Sequence, residues 1–153
     1  MSATVSIITG SESDLELAKK CGEILESFSI DYSINIFSAH RTPELLKNHL
    51  NETEKEGTKI YIAIAGLAAH LAGAIAAKTT KPVIGVPADN GPLEGIDALL
   101  STVQMPKGVP VATMSVGKSG AINAAILTAE IISLHNSSLV EKLQEFKNAG
   151  SIL

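Results

Sequence analysis

Apolar and polar positions alternate along this chain in two rhythms, one of period two and one near 3.6. "TVSIIT" (4–9) is a β-branched run that ends at Gly10, the signature of a buried strand. Leu15, Ala18, Cys21, Leu25 and Phe28 then recur at helical spacing over 14–28. "YSINIFS" (32–38) alternates toward a second strand, and 43–56 reads as a charged, exposed helix stopped by Gly57. "KIYIAIA" (59–65) is a third strand, followed by an Ala-rich helix over 68–78. "PVIGVPA" (82–88) and "VPVATMSV" (109–116) are strands four and five, with a helix over 92–104 between them. A long apolar helix (119–135) and an amphipathic one (138–149) follow. The last helix opens with a capping box from Ser138 to Glu141 and ends before Gly150.

Strands alternating with helices at this spacing predict βαβ units and a parallel sheet. Right-handed crossovers place helices on both faces. The expected fold is α/β: a three-layer α/β/α sandwich with a doubly wound, flavodoxin-like parallel sheet, in one domain spanning 1–153. No internal repeat, linker or low-complexity tract interrupts it.

Composition sharpens this picture. Aromatic residues are only 3% of the 153, with no Trp, so the core must be Ile, Val, Leu and Ala, as a buried parallel sheet prefers. A formal charge of −4 offers no basic field for nucleic acid. Cys21 is the only cysteine, which excludes an internal disulfide and fits a reducing compartment. Its spacing places it as a small buried helix residue. "MSATVSIITG" lacks the basic and apolar regions of a signal peptide, so a cytoplasmic location is expected. Residues 60–77 form an apolar run of nearly spanning length, but the first part is β-branched and the second Ala-rich. A strand, a tight turn at Gly66 and a packed helix are expected there, not a membrane span.

In open parallel sheets, ligands bind beyond the carboxyl ends of the strands, near a switch in strand order. Three loops lie at such ends. In "GSESD" (10–14), Ser13 and Glu16 can form a capping box, with Asp14 favoured by the helix dipole. Equally, the Ser hydroxyls and first-turn amides can hold a phosphate or carboxylate, and Asp14 can accept sugar hydroxyls. Both readings stand on spacing alone. In "SAHRTP" (38–43), Thr42 and Pro43 suit a helix start, which leaves Ser38, His40 and Arg41 unexplained. Arg can grip a phosphate bidentately, and imidazole can give or take a proton near neutrality. In "AGLAAHLAG" (65–73), Gly66 and the Ala residues allow close backbone approach to a flat ligand, or close helix packing. His70 is expected to be structural or orienting.

Two other patterns fail. "ATMSVGKSG" resembles a phosphate-binding P-loop, but Ala112 stands where that loop needs a glycine. His40, His49, His70 and His135 share no metal-ligand spacing, and His49 and His135 are expected on solvated helix surfaces. No metal is expected.

"GSESD", "SAHRTP", "AGLAAHLAG", "PVIGVP", "GPLEGIDALLSTVQMPKGVPVAT" and "GKSGAINAAILTAEI" together resemble the PurE family of purine biosynthesis, in order and from about residue 5 to 135. The resemblance implies the class I activity, N5-carboxyaminoimidazole ribonucleotide mutase. That enzyme moves a carboxylate from the exocyclic nitrogen to C4 of an imidazole ribonucleotide, without a cofactor. It implies a homo-octamer, a small-molecule ribonucleotide substrate, and neither a nucleic-acid nor a membrane partner. His40 resembles the catalytic acid–base group. Ser11 and Asp14 resemble the substrate-binding serine and the ribose-binding aspartate, with Ser13 near the phosphate. Ser38 and Arg41 would complete the phosphate and substrate contacts, and Gly66 and Leu71 would give backbone groups around the migrating carboxylate. Leu67 and Ala72 depart from the family's commoner "AGAAAHLPG", and "GVPADNGPLEG" varies mildly from its "GVPV" forms. A carboxylase using free carbon dioxide and a non-catalytic phospho-ligand or flavin-binding module remain alternatives. Arg41 and "AAHLAG" favour the mutase over the carboxylase branch.

Overall fold

The computed structural model describes residues 3–152; Met1, Ser2 and Leu153 of the expected single domain lie outside the described residues. Five strands form one parallel sheet: β1 (Val5–Thr9), β2 (Tyr32–Ile36), β3 (Ile60–Ala65), β4 (Val83–Pro87) and β5 (Ala112–Thr113). Their order is β2-β1-β3-β4-β5. Six α-helices connect and follow them: α1 (Leu15–Ser27), α2 (Pro43–Glu56), α3 (Leu71–Ala76), α4 (Ile96–Val103), α5 (Lys118–Ser133) and α6 (Ser137–Asn148). Among the described residues, no helix is long and apolar enough to cross a membrane.

Period-two alternation decides which residues face which helices. Val5 and Ile7 of β1, with Ile60, Ile62 and Ile64 of β3, pack against α1, α5 and α6. Ile8 of β1 and Tyr61 and Ala63 of β3 face the opposite way, onto Leu46 and Leu50 of α2 and Leu71 and Ile75 of α3. Two apolar layers thus enclose one sheet. Each fully buried Ile among them contributes roughly 1.5–3 kcal/mol relative to exposure. Cys21 is buried in the first layer, where desolvation pushes its thiol pKa up to about 12. It is a packing residue, as its spacing predicts.

Several local expectations need correction. Strand five is two residues long, not eight, because it lies at the sheet edge after a turn closed by Val109 N–H donating to the Pro106 carbonyl. The third helix begins at Leu71, not 68. Leu67 to His70 form turns in which Ala69 and His70 donate to the carbonyls two residues earlier. The fourth helix starts at Ile96 because Gly91, Glu94 and Gly95 adopt left-handed backbone ahead of it. Neither capping box forms. Ser13 lies inside a single 3₁₀ turn (Glu12–Asp14), and Glu16 pairs with Lys19. Asn136, not Ser138, is the N-cap of α6, and Ser138 Oγ donates to Asn136 Oδ1.

His49 is also corrected. It is half-buried, with Nε2 3.0 Å from Ser6 Oγ and its ring 4.8 Å from that of Phe37. Burial holds its pKa below the ordinary value, opposed by Glu52 and Glu56. His135 is exposed, as expected. Because folding favours neutral His49, its contribution to stability is complete above the unfolded pKa of about 6.5 and is lost as pH falls through the lower folded value. Thermal melts from pH 7.5 to 5 should therefore show Tm falling below pH 6.5, with part of that slope absent in His49→Gln. Identical slopes for the two proteins would disprove the assignment.

Candidate active site

Strand order turns around at β1, since the chain passes to β2 on one side and β3 on the other. The loops leaving β1 and β3 therefore diverge to opposite faces and open a crevice at the carboxyl ends. A cleft of about 480 Å³ occupies that place. Every residue singled out in the sequence lines it: Ser11, Ser13, Asp14, Ser38, His40, Arg41, Gly66 and Leu71.

The β1 loop builds one wall. Asp14 is buried, and its carboxylate collects the loop's hydroxyls. The two serine oxygens lie 2.5 Å apart, so one hydroxyl donates to the other, and the second donates to Asp14, whose Oδ2 lies 3.3 Å from Ser11 Oγ and Oδ1 3.5 Å from Ser13 Oγ. Burial pushes the Asp14 carboxyl above its ordinary pKa, while hydrogen bonds from Asn90, Ser11 and Ser13 pull it back. Ser13 is thus turned into the cleft instead of capping α1.

The β2 loop builds the second wall, and its sequence explains its shape. Ser38 and Thr42 close the turn on each other: Ser38 N–H donates to Thr42 Oγ1 at 3.0 Å, and Thr42 N–H donates to the Ser38 carbonyl at 2.9 Å. Ser38 Oγ accepts from Arg41 N–H at 3.1 Å, so its own proton can still be donated to a ligand. Thr42 stands at the N-cap position without a side-chain cap bond, and Pro43 takes the first turn of α2. This closed turn holds His40 and Arg41 outward. Arg41 forms no ion pair among the described residues.

The β3 loop supplies the third wall and a short contact across the cleft. His70, at the N-cap of α3, sets Nδ1 2.7 Å from His40 Nε2. The rings meet edge-on, with centroids 4.8 Å apart and planes at 72°. One ring must donate and the other accept, so the tautomer of each fixes that of the other. The orienting role expected of His70 is what this geometry allows. Leu71 is buried below it, and Ala39, Ala65 and Ala68 add small apolar surface. Among the described residues, no three His, Cys, Asp or Glu side chains converge as a metal site.

Asn90 and Gly91, on the β4 loop, also line the cleft, and sequence reasoning gave them no role. "DNG" signals only a turn. Asn90 Nδ2 donates to Asp14 Oδ1 at 2.7 Å and to Ser13 Oγ at 3.4 Å. Its amide lies where Gly66 has no side chain: a Cβ there would stand 1.8 Å from Asn90 Oδ1. Reciprocally, a Cβ on Gly91 would stand 2.5 Å from Leu67 Cδ2. Leu67 adopts left-handed backbone, φ 55°, uncommon for a branched residue. The two loops interlock at these paired positions.

Known proteins agree with this architecture. Residues 4–151 match the family described as AIR carboxylase. The chain is 48% identical to the N5-carboxyaminoimidazole ribonucleotide mutase of Pseudomonas aeruginosa, over 96% of this chain and 90% of that one. It is 50% identical to the enzyme of that name from Bacillus subtilis, over 95% and 90%. The crystal structure of Treponema denticola PurE superposes with a TM-score of 0.87 at 32% identity, covering 96% of this chain and 90% of that chain. With a family match over nearly the full length and a matching overall fold, the chain belongs to the AIR carboxylase (PurE) family.

Proposed function

We propose that this protein is an N5-carboxyaminoimidazole ribonucleotide mutase, an isomerase of purine biosynthesis. The observation that carries the reading is the His40–His70 pair, set at 2.7 Å across a cleft that also holds Asp14, three serines and Arg41. A binding module has no need of an imidazole with a tautomer-fixing partner beside a phosphate grip. The relatives named above carry the same activity in their names.

The chemistry needs two proton transfers, one to nitrogen and one from C4, and a single histidine can serve both. His40 delivers a proton to the carbamate nitrogen, the N–C bond breaks, its electron pair stays on nitrogen, and carbon dioxide is released into the cleft. The enamine carbon C4 attacks that carbon dioxide, and a C–C bond forms. C4 then loses its proton to His40, which regenerates aromaticity. His70, bonded to the other side of the imidazole, fixes which nitrogen carries the proton. Holding the released gas within bonding distance supplies the rate advantage, and Ala39, Ala65 and Ala68 give the cleft small apolar walls for it. Arg41 and Ser38 grip the phosphate, aided by Ser11 and Ser13, while Asp14 accepts ribose hydroxyls. Gly66 and Leu71 present backbone groups to the migrating carboxylate. The reaction draws on no cofactor and belongs in the cytoplasm with the rest of nucleotide synthesis.

The working form is a homo-octamer. Ile96, Leu100 and Val103 support assembly: they are exposed, recur at helical spacing along α4, and with the exposed Leu93 in the turn ahead of it leave an apolar patch uncovered in the single chain. Sedimentation should give the mass of eight chains; a single-chain mass would remove the assembly.

Two sets of measurements test the reaction. Purified protein given N5-carboxyaminoimidazole ribonucleotide should form the C4-carboxylated product rapidly. Fast product only from the uncarboxylated ribonucleotide plus bicarbonate would assign it to the direct carboxylase instead. His40→Asn should abolish turnover and leave ribonucleotide affinity nearly intact, whereas Arg41→Ala should weaken affinity about tenfold or more, the scale of a lost charged hydrogen bond. A fully active His40→Asn, or an Arg41→Ala with unchanged affinity, contradicts the corresponding role.

A further inference from the structure

Asn90 is joined to a group the reaction needs, yet nothing in the family resemblance accounts for it. Its Nδ2 makes the shortest hydrogen bond to Asp14, 2.7 Å to Oδ1, and reaches from a different strand's loop, 76 residues away. Its Oδ1 is buried and receives no hydrogen bond. An unpaired buried carbonyl oxygen is costly and uncommon in a folded protein. The opposite amide orientation would press Oδ1 against the Asp14 carboxylate, so Asp14 dictates the orientation seen. Gly66 makes that orientation sterically available, since any side chain there would occupy the position of the amide oxygen.

We propose that Asn90 is the positioning residue for the Asp14 carboxylate, and that glycine at position 66 is required to admit its amide. The inference rests on the mutase reading for the identity of the ligand, the ribose hydroxyls that Asp14 accepts. Asn90 Nδ2 occupies Oδ1, so the lone pair of Oδ2 that Ser11 does not take is the one left for the ligand. It thereby sets which carboxylate oxygen meets the sugar and in what plane. Leu67, seated over Gly91, holds the two loops in this register from the next position along each chain.

The groups facing Asp14 are Ser11 and Ser13 from its own loop and Asn90 from the β4 loop; His40, Arg41 and His70 are the other ionisable side chains of the cleft. Losing the Asn90 donor removes an interaction that favours ionised Asp14, so the carboxyl should protonate at higher pH in its absence.

The test uses the full chain, as wild type, Asn90→Ala, Gly66→Ala and the double variant, with N5-carboxyaminoimidazole ribonucleotide as substrate. Asn90→Ala should raise KM about tenfold while kcat changes less than about threefold, because binding is weakened in ground and transition states alike. The acid limb of its kcat/KM profile should move to higher pH. Gly66→Ala should reproduce that KM increase, and the double variant should be no worse than either single one, since both remove the same contact. Asn90→Ser, which keeps a polar group but not its reach, serves if Asn90→Ala fails to fold and should show the same direction of change. Titration of the Asp14 carboxyl carbon by NMR reads the effect without turnover: its midpoint should rise in each Asn90 variant. An unmoved KM and acid limb, an unmoved Asp14 midpoint, or additive effects in the double variant would overturn the proposal. A wild type that does not convert the substrate would overturn the mutase reading instead, and the Asp14 titration would still decide the role of Asn90.

Discussion

The reversal of strand order at β1 is the constraint on which the rest of this structure depends. A parallel sheet must return the chain over one face or the other between strands. Because β1 sits between β2 and β3, the helices that follow β1 and β3 lie on opposite faces. Their loops cannot close over one another, and a crevice remains that no local packing could fill. The same reversal sets residues 11–14, 38–41 and 66–71 facing each other from three separate strands. The chemistry of the cleft is a consequence of topology first and of side chains second.

The crevice walls are rigid for reasons that lie outside the crevice. Ser38 and Thr42 use most of their polar atoms on each other, so the turn that presents His40 is fixed before any ligand arrives. Directly beneath, Phe37 rests on His49, which is tied to Ser6 on the neighbouring strand. Small residues on the β3 loop serve a different purpose: they leave volume for a ligand and let α3 start close to the sheet.

Much of this was legible in the sequence because periodicity reports burial directly. Strands one to four, the end of α2 at Gly57 and the burial of Cys21 follow from spacing alone. The three candidate loops, which line one cleft, stand out because they fall at carboxyl ends of strands and carry side chains that caps do not require. Other features depend on partners distant in sequence. His49 looks like a solvated helix residue until Ser6 and Phe37 are brought beneath it. Ser13 looks like a cap until Asp14 turns its hydroxyl inward. Asn90 looks like a turn former, because its two partners, Asp14 and Gly66, come from other strands. The length of β5 is set by its place at the sheet edge, which its own apolar residues cannot report.

The reciprocal fit between the third and fourth connections carries an implication for how this sequence can drift. At one pair, a bulky group from position 67 fills the hollow at 91; at the adjacent pair, a group from position 90 fills the hollow at 66. Large and small residues face each other across the two segments in opposite directions at neighbouring places. A side chain added at 66 meets Asn90 and one added at 91 meets Leu67, so the geometry couples volume at 66 to 90 and at 91 to 67.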